Sequence, residues 1–262
     1  MNTIACQVAA LPRTPANSTY ILRDPTPAVR FDASRPAIAR SANAVLRSLP
    51  SFIAETLNGS LRAVTLEREQ RLCEQDRVPE FVYFPESVVI SELKLLEDGR
   101  VVEIALTGHE GAVGISSVFS TQPSSCCTEV AQSGTAVRIE RDVLLKMARI
   151  HPEIATLLLP DIARHIKTIS QRSVCNMHHS VKQRLATWLL MLSDRAGGGT
   201  LILTHDQIAR SLGVYRPSLT SIAIELRDAG SIEYSRGSFF VEHRALLEAE
   251  ACTCYADMAT IK

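Results

Sequence analysis

The chain has no excess charge of either sign: 28 Lys and Arg stand against 28 Asp and Glu in 262 residues. That balance excludes a general basic coat for nucleic acid, though not a sequence reader with a local basic surface. No apolar run approaches the length needed to cross a bilayer, and the N-terminus lacks the apolar core of a signal peptide. The seven cysteines are odd in number and irregularly spaced, unlike a secreted disulfide framework. A soluble, cytoplasmic protein without membrane contact is the expectation. Gly108-His109-Glu110-Gly111-Ala112-Val113-Gly114 is glycine-rich, but it has neither the Walker Lys-Ser/Thr ending nor a dinucleotide fingerprint. His109 and Glu110 are adjacent, and neighbours in sequence rarely point the same way. No nucleophile–base constellation accompanies them, so an enzyme is not expected.

What is present centres on Thr204 to Asp228, THDQIARSLGVYRPSLTSIAIELRD. Thr204 followed three residues later by Gln207 is a capping-box signature and starts a helix. Ile208, Ala209 and Leu212 form its apolar strip, and Gly213 supplies a residue that takes positive φ where the chain reverses. Arg216 and Pro217 open a second helix, where proline is tolerated because its missing N–H has no partner. Leu219, Ile222, Ala223 and Leu226 face a core and leave Arg216, Ser218, Thr220 and Ser221 outward. This is the pattern of a DNA-binding helix-turn-helix. The β-rich runs Gly230 to Tyr234 and Ser238 to Val241, joined by Ser235-Arg236-Gly237, add a wing with Arg236 at its tip.

With 46% hydrophobic residues the chain supports two ordinary domains. Residues 1–40, with several prolines and five arginines, read as a mobile extension. Two short helices, 41–49 and 51–57, flank Pro50. Strands follow at 81–84, 88–90, 93–96 and 101–106, the last two around the hairpin turn Glu97-Asp98-Gly99-Arg100, and then at 128–131 and 135–139. Many short strands without intervening helices indicate an antiparallel jelly roll. From His151 the period becomes helical. Leu159, Ile162, Ile166, Ile169, Ser173 and Asn176 fall at alternating three- and four-residue steps, the seam of a coiled coil, so 151–179 is expected to pair with its copy in a homodimer. Asn176 would fix register. Ser180 to Asp194 is a further amphipathic helix, leading to a strand at 200–203.

Several side chains invite other chemistry. Cys126-Cys127 read as small buried side chains, and Cys252-x-Cys254 without a second pair is a poor zinc signal. No metal and no cofactor are expected, and a redox role of Cys126, Cys127, Cys175, Cys252 or Cys254 stays open. His178-His179, at a helix junction, are expected to face solvent or phosphate.

In this order of elements the chain resembles the transcription regulators of the superfamily of the cyclic-AMP receptor protein and the fumarate–nitrate regulator (Crp/Fnr). The likeness covers roughly residues 43 to 255. It rests on CNMHHSVKQRLATWLLMLSDRAGG (175–198), LTHDQIARSLGVYRPSLTSIAIELRDAGSIEYSRG (203–237), LLEAEACTCY (246–255) and VYFPESVVISELKLLEDGRVVEIALTGHEGAVG (82–114). The resemblance implies an α+β fold: an antiparallel β-roll like a cyclic-nucleotide-binding domain over 41–150, a dimerisation helix over 151–179, and a winged helix-turn-helix over 180–262. It implies double-stranded DNA and RNA polymerase as partners of a homodimer on a pseudo-palindromic operator. Arg216 would be the main base reader beside Tyr215, Pro217, Ser218, Thr220 and Ser221, with Lys182, Arg184, Thr204 and Arg236 at the backbone. An effector pocket would fall at Gly111, Val113, Gly114, Ile115 and Ser116.

The departures bear on the effector. Where cyclic-nucleotide binders carry Gly-Glu-Leu and, about ten residues later, Arg-Ser or Arg-Thr, this chain keeps Gly114 but has Ile115 at the glutamate position. Ser116 to Thr128 contains no arginine, so a buried cyclic phosphate would lack its charge-assisted bonds. Only Cys6 stands where the oxygen-sensing branch has an N-terminal cysteine cluster. The recognition helix keeps Arg216, but Pro217 and Ser221 replace a glutamate and a second arginine. The effector is therefore left unknown. The alternative reading is a small-molecule or redox sensor with a degenerate DNA-binding domain.

Overall fold

The computed structural model describes Ile38, residues 41–120 and residues 122–259. The expected mobile extension, 1–40, lies outside the described residues apart from Ile38, which is buried.

Two short helices open the described chain, α1 (Ala44–Arg47) and α2 (Ser51–Asn58). The buried Asn43 side chain caps α1 by accepting from the N–H groups of Val45 and Leu46, and its amide donates to the carbonyls of Pro85 and Gly111. Seven strands follow: β1 (Arg62–Leu66), β2 (Arg71–Cys73), β3 (Phe81–Pro85), β4 (Val89–Leu95), β5 (Val101–Thr107), β6 (Cys127–Gln132) and β7 (Gly134–Glu140). They form two antiparallel sheets, ordered β1-β7-β3 and β2-β6-β4-β5. Together they make the expected β-roll.

Val64, Leu66, Tyr83, Val88, Ile90, Val130 and Ala136 fill the space between the sheets. Strand β7 serves two cores, because adjacent side chains leave a strand on opposite faces. Ala136 points between the sheets, while Val137 and Ile139 pack against the helical layer of α1, α2 and the helices after β7. Gly134 is required by contact: a Cβ there would lie 2.4 Å from the backbone nitrogen of Val88.

The segments 88–90 and 93–96, read as two strands, form the single strand β4, with a register shift between Glu92 and Leu93. Such a bulge bends a strand without ending it. Strands β1 and β2 escape the sequence reading, since RAVTL and RLC are short and lie among charged residues. So does α3 (Ile115–Phe119), which begins at Gly114 with φ +90°.

Helix α4 (Arg141–Ile150) leads into α5 (Pro152–His178), 27 residues long with Pro160 inside it. Then come α6 (Val181–Arg195), β8 (Leu201–Ile202), α7 (His205–Leu212), α8 (Arg216–Asp228), β9 (Ile232–Ser235), β10 (Ser238–Val241), α9 (Arg244–Glu250) and α10 (Cys254–Ala259). Strands β8, β10 and β9 form the winged sheet. The core beneath it is almost wholly apolar: Leu185, Leu189, Leu192, Ile208, Leu212, Leu219, Leu226 and Phe239, joined by Val89 and Leu106 of the roll.

Helix α5 meets the roll differently. Its inner stripe is Leu158, Asp161, Thr168, Arg172 and Cys175, all buried, with His165 between them. Glu103 of β5, 1% exposed, accepts from Arg172 Nη1 at 2.8 Å, from the Trp188 indole at 2.7 Å and from Ser91 Oγ at 2.8 Å. His165 Nε2 stands 2.8 Å from Glu92, and Arg195 Nε donates to Glu110 at 2.7 Å. Asp161 pairs with Arg164 one turn along the same helix. The seam is built from charge in which each carboxylate has a cationic or hydrogen-bonding partner, the condition for tolerating buried charge.

The predicted coiled-coil stripe lies one residue further along, on the outer face. Leu159 and Ile166 are 53% and 59% exposed, Ser173 and Asn176 are exposed, and Ile162 and Ile169 are half-buried. The usual amphipathic order is inverted in α5, with polar groups inside and aliphatic ones in solvent.

Candidate nucleic-acid interface

Helix α7 starts where its capping box says it should. Thr204 Oγ1 accepts from the Gln207 N–H, and Gln207 Oε1 accepts from the Thr204 N–H at 2.8 Å. The helix ends at Gly213, φ +63°, in the left-handed region that favours glycine. Tyr215 caps α8 and Pro217 sits in its first turn. Leu219, Ala223 and Leu226 are buried beneath α8, and Arg216, Pro217, Ser218 and Ser221 stay exposed on its outer face, together with Tyr215. Arg216 Nε lies 3.1 Å from Asp206 Oδ1, at the start of α7. The guanidinium is thereby oriented at the outer end of α8 while both side chains keep contact with solvent.

Thr220 departs from its expected outward position. It is half-buried, its hydroxyl donates to the Arg216 carbonyl, and it lies 3.2 Å from His205 Nδ1. His205 packs against Tyr234 and Phe239. Burial, reinforced by nearby Arg216, holds its imidazole below the ordinary histidine value. Thr220 therefore locks α7 to α8. The Ser221 hydroxyl donates back to the Pro217 carbonyl at 3.3 Å but remains accessible.

The wing turn places Arg236 (φ +41°) and Gly237 (φ +86°) between β9 and β10. Two positive-φ residues match the right-handed twist of a two-residue hairpin. Arg236 is exposed at the tip. Lys182 reaches Glu250 at 2.9 Å and is half-buried. Arg184, expected at a phosphate, has a partner within the reader. Its guanidinium donates to the Leu212 carbonyl, the last residue of α7, and is partly buried there. An orphan helix carbonyl is satisfied by this bond, so Arg184 holds the turn. Asp206, the partner of Arg216, was missed; an acidic residue in a first turn reads only as a complement to the helix dipole.

Most of the expected effector segment is packed, and only Ala112 reaches a recess. Val113 pairs with Tyr83 across an isolated antiparallel bridge, Ile115 is buried among Val82, Val118 and Leu144, and Gly114 packs on the Phe81 carbonyl. Gly111 is buried, with Asp161 and Arg164 on the side where a Cβ would lie, and Ser116 faces outward. Past the segment, the guanidinium of Arg141 donates to the carbonyls of Ser117 and Ser120. That small recess lies under α5, lined by Ala112 together with Thr107, Glu110, Asp161, Arg164, His165 and Arg195. It is filled with mutually paired charges.

Known proteins share this architecture. Residues 183–250 match the model of the Crp-like helix-turn-helix domain. A CRP-like cAMP-activated global transcriptional regulator of Mycobacterium tuberculosis is 25% identical over 209 residues, covering 77% of this chain and 93% of that protein. FixK2 from Bradyrhizobium japonicum superposes with a TM-score of 0.62 at 19% identity, over 74% of this chain and 98% of the other. The c-di-GMP-responsive global regulator CLP of Xanthomonas campestris gives 0.61 at 13% identity, over 74% and 100%. The chain thus carries a Crp-like helix-turn-helix domain over residues 183–250, and its β-roll, long connecting helix and winged reader follow in the order of the Crp/Fnr fold.

Proposed function

We propose that this regulator reads a pseudo-palindromic operator as a homodimer, with α8 entering the major groove. The observation that carries the reading is the outer face of α8. Arg216, Ser218 and Ser221 are exposed on a helix whose other side is anchored by Leu219, Ala223 and Leu226. Arg216 is the base reader, by bidentate donation to a guanine edge. Tyr215, Pro217 and Ser218 flank it, while Thr204, Lys182 and Arg236 serve the phosphate backbone. Lys182 must leave Glu250 to do so.

Pairing through the outer stripe of α5 would cover Leu159, Ile162, Ile166 and Ile169 and set two readers one DNA turn apart. The chain then divides into an extension to residue 40, a sensor roll to 150, a dimer helix to 179 and the reader beyond. RNA polymerase is the further partner and the cytoplasm the location; among the described residues no helix is long and apolar enough to cross a membrane. The packing of Val113 and Ile115 supports a sensor that does not take cyclic AMP by the usual route.

Selection of genomic fragments by the purified full-length protein at near-physiological salt tests the reading. The expected result is a two-fold motif with half-sites about one turn apart. Arg216→Ala should then weaken binding by about 1–3 kcal/mol and relax preference at one base position per half-site. An unchanged footprint would remove Arg216 from its role. Binding that vanishes with rising salt and selects no motif, with or without cell extract, would overturn the operator reader.

A further inference from the structure

At the junction of α5 and α6 the fold gathers four side chains that the sequence scatters. Cys175 and His179 lie one turn apart at the end of α5, while Cys252 lies in the reversal after α9 and Cys254 opens α10. One ligand atom from each falls within 4.8 Å of all the others. Cys175 Sγ and Cys252 Sγ are 3.9 Å apart, across 77 residues of sequence. Two thiolates each about 2.3 Å from a tetrahedral ion stand about 3.8 Å apart. A multinuclear iron–sulfur cluster distributes its thiolates over separate irons and needs a wider set.

Apolar packing alone does not account for the cluster. Met191 and Met258 close its inner side. Yet His179 Nδ1 is buried without a hydrogen-bond partner, an omission that costs free energy unless something occupies the nitrogen. The surroundings supply the outer support expected of a metal site. Thr187 Oγ1 lies 3.2 Å from Cys252 Sγ and accepts from the Cys252 N–H, and Gln171 Nε2 is directed at Cys175 Sγ. The tail carrying the two distal cysteines is itself anchored, with Tyr255 donating to Asp194 at 2.6 Å.

We propose that Cys175, His179, Cys252 and Cys254 form a tetrahedral Cys3His site for a single zinc(II) ion. The ion clamps the end of α5 to the C-terminal segment of the reader. Binding forms three Zn–S bonds and one Zn–N bond, releases the three thiol protons to solvent and involves no change of oxidation state. All four positions are taken by protein, so the site is structural. His179 immediately precedes Ser180, the N-cap of α6, so the ion fixes the angle at which the reader leaves the long helix. This corrects the expectation of no metal: Cys252-x-Cys254 does have a second pair, supplied by α5. His179, expected to face solvent or phosphate, is half-buried.

Full-length protein, expressed with zinc and purified without chelator, is expected to carry about one zinc per chain by elemental mass spectrometry. Cobalt(II) in its place should give strong thiolate-to-cobalt absorption with the visible bands of a tetrahedral site. His179→Ala and Cys254→Ser alter half-buried positions. Each should keep native circular dichroism yet lose zinc to a competing chelator at least about ten-fold more readily than the wild type. Cys73→Ser, on the distant sheet, should change nothing. Three results would overturn the site: less than about a tenth of an equivalent of zinc, a cobalt form without thiolate bands, or a Cys175–Cys252 disulfide in protein kept under reductant. Should either variant fail to fold, the cobalt spectrum of the unaltered protein decides alone.

Discussion

The reader and the seam under α5 are held together by opposite means. Beneath α7 and α8 lie Leu185, Leu189, Ile208, Leu219 and Leu226, with hardly a polar atom among them. Between the roll and α5 lie Glu103–Arg172 and Glu92–His165, and beside them Glu110–Arg195 ties the roll to the end of α6. An apolar core is non-directional and gains free energy wherever area is buried. A charged seam is favourable only while each partner keeps its place, because a displaced charge stays desolvated and unpaired. The reader's core therefore tolerates small displacements, and it runs on into the roll through Val89 and Leu106. The seam is suited to having discrete arrangements, which is what an element that transmits a signal requires.

Three changes would break or sharpen this contrast. The largest effect is expected of Glu103→Ala, which strands Arg172 and the Trp188 indole together. It should cost about 3–5 kcal/mol in chemical denaturation, and a loss below about 1 kcal/mol would show the seam to be plastic. Next comes Leu226→Ala in the reader, expected to cost about 3 kcal/mol through the cavity it leaves. That loss should appear as faster hydrogen exchange in α7 and α8 with α5 unaffected; exchange rising equally in α5 would dissolve the distinction between the regions.

The smallest effect is a dependence on pH, with opposite signs at the two places. Burial pulls the His165 imidazole down, but the hydrogen bond and charge of Glu92 together outweigh it and hold the group above its ordinary 6.5. Its stabilisation is complete below pH 6.5 and is lost as pH rises through the raised value. His205, held below 6.5 by burial and Arg216, contributes above pH 6.5 and loses its contribution as pH falls through the lowered value. Exchange in α5 should quicken on the alkaline side and in α7 on the acid side. Glu92→Gln should erase the first response only, and two responses of one sign would refute the assignment.

Local signals in the sequence carried far. The capping box at Thr204, the turn at Gly213 and the wing at Arg236 are decided by neighbouring residues, and the structure has each where its chemistry requires. Features that depend on distant partners are hidden from a local reading. Leu159, Ile166 and Asn176 form a genuine periodic stripe, but Leu158, His165 and Cys175 repeat with the same period one residue earlier, and it is this second stripe that faces the roll. Period alone does not say which of two adjacent stripes is covered, and buried charge conceals the inner one from any hydrophobicity rule. Arg184 could not be separated from a phosphate contact without knowing that the end of α7 folds back onto it. The same holds for Cys175 and His179, which lie far from Cys252 in sequence.

The placement of Trp188 has a practical consequence. It is the chain's one tryptophan, 3% exposed, with its indole N–H on the carboxylate to which Arg172 and Ser91 also bind. Indole emission responds to nearby charge and to water, and here a single fluorophore sits where β4, β5, α5 and α6 converge. The unlabelled protein therefore carries its own optical reporter. A ligand or a change of pH that rearranges the seam will alter emission wavelength or intensity, and an event confined to the tip of the wing will not.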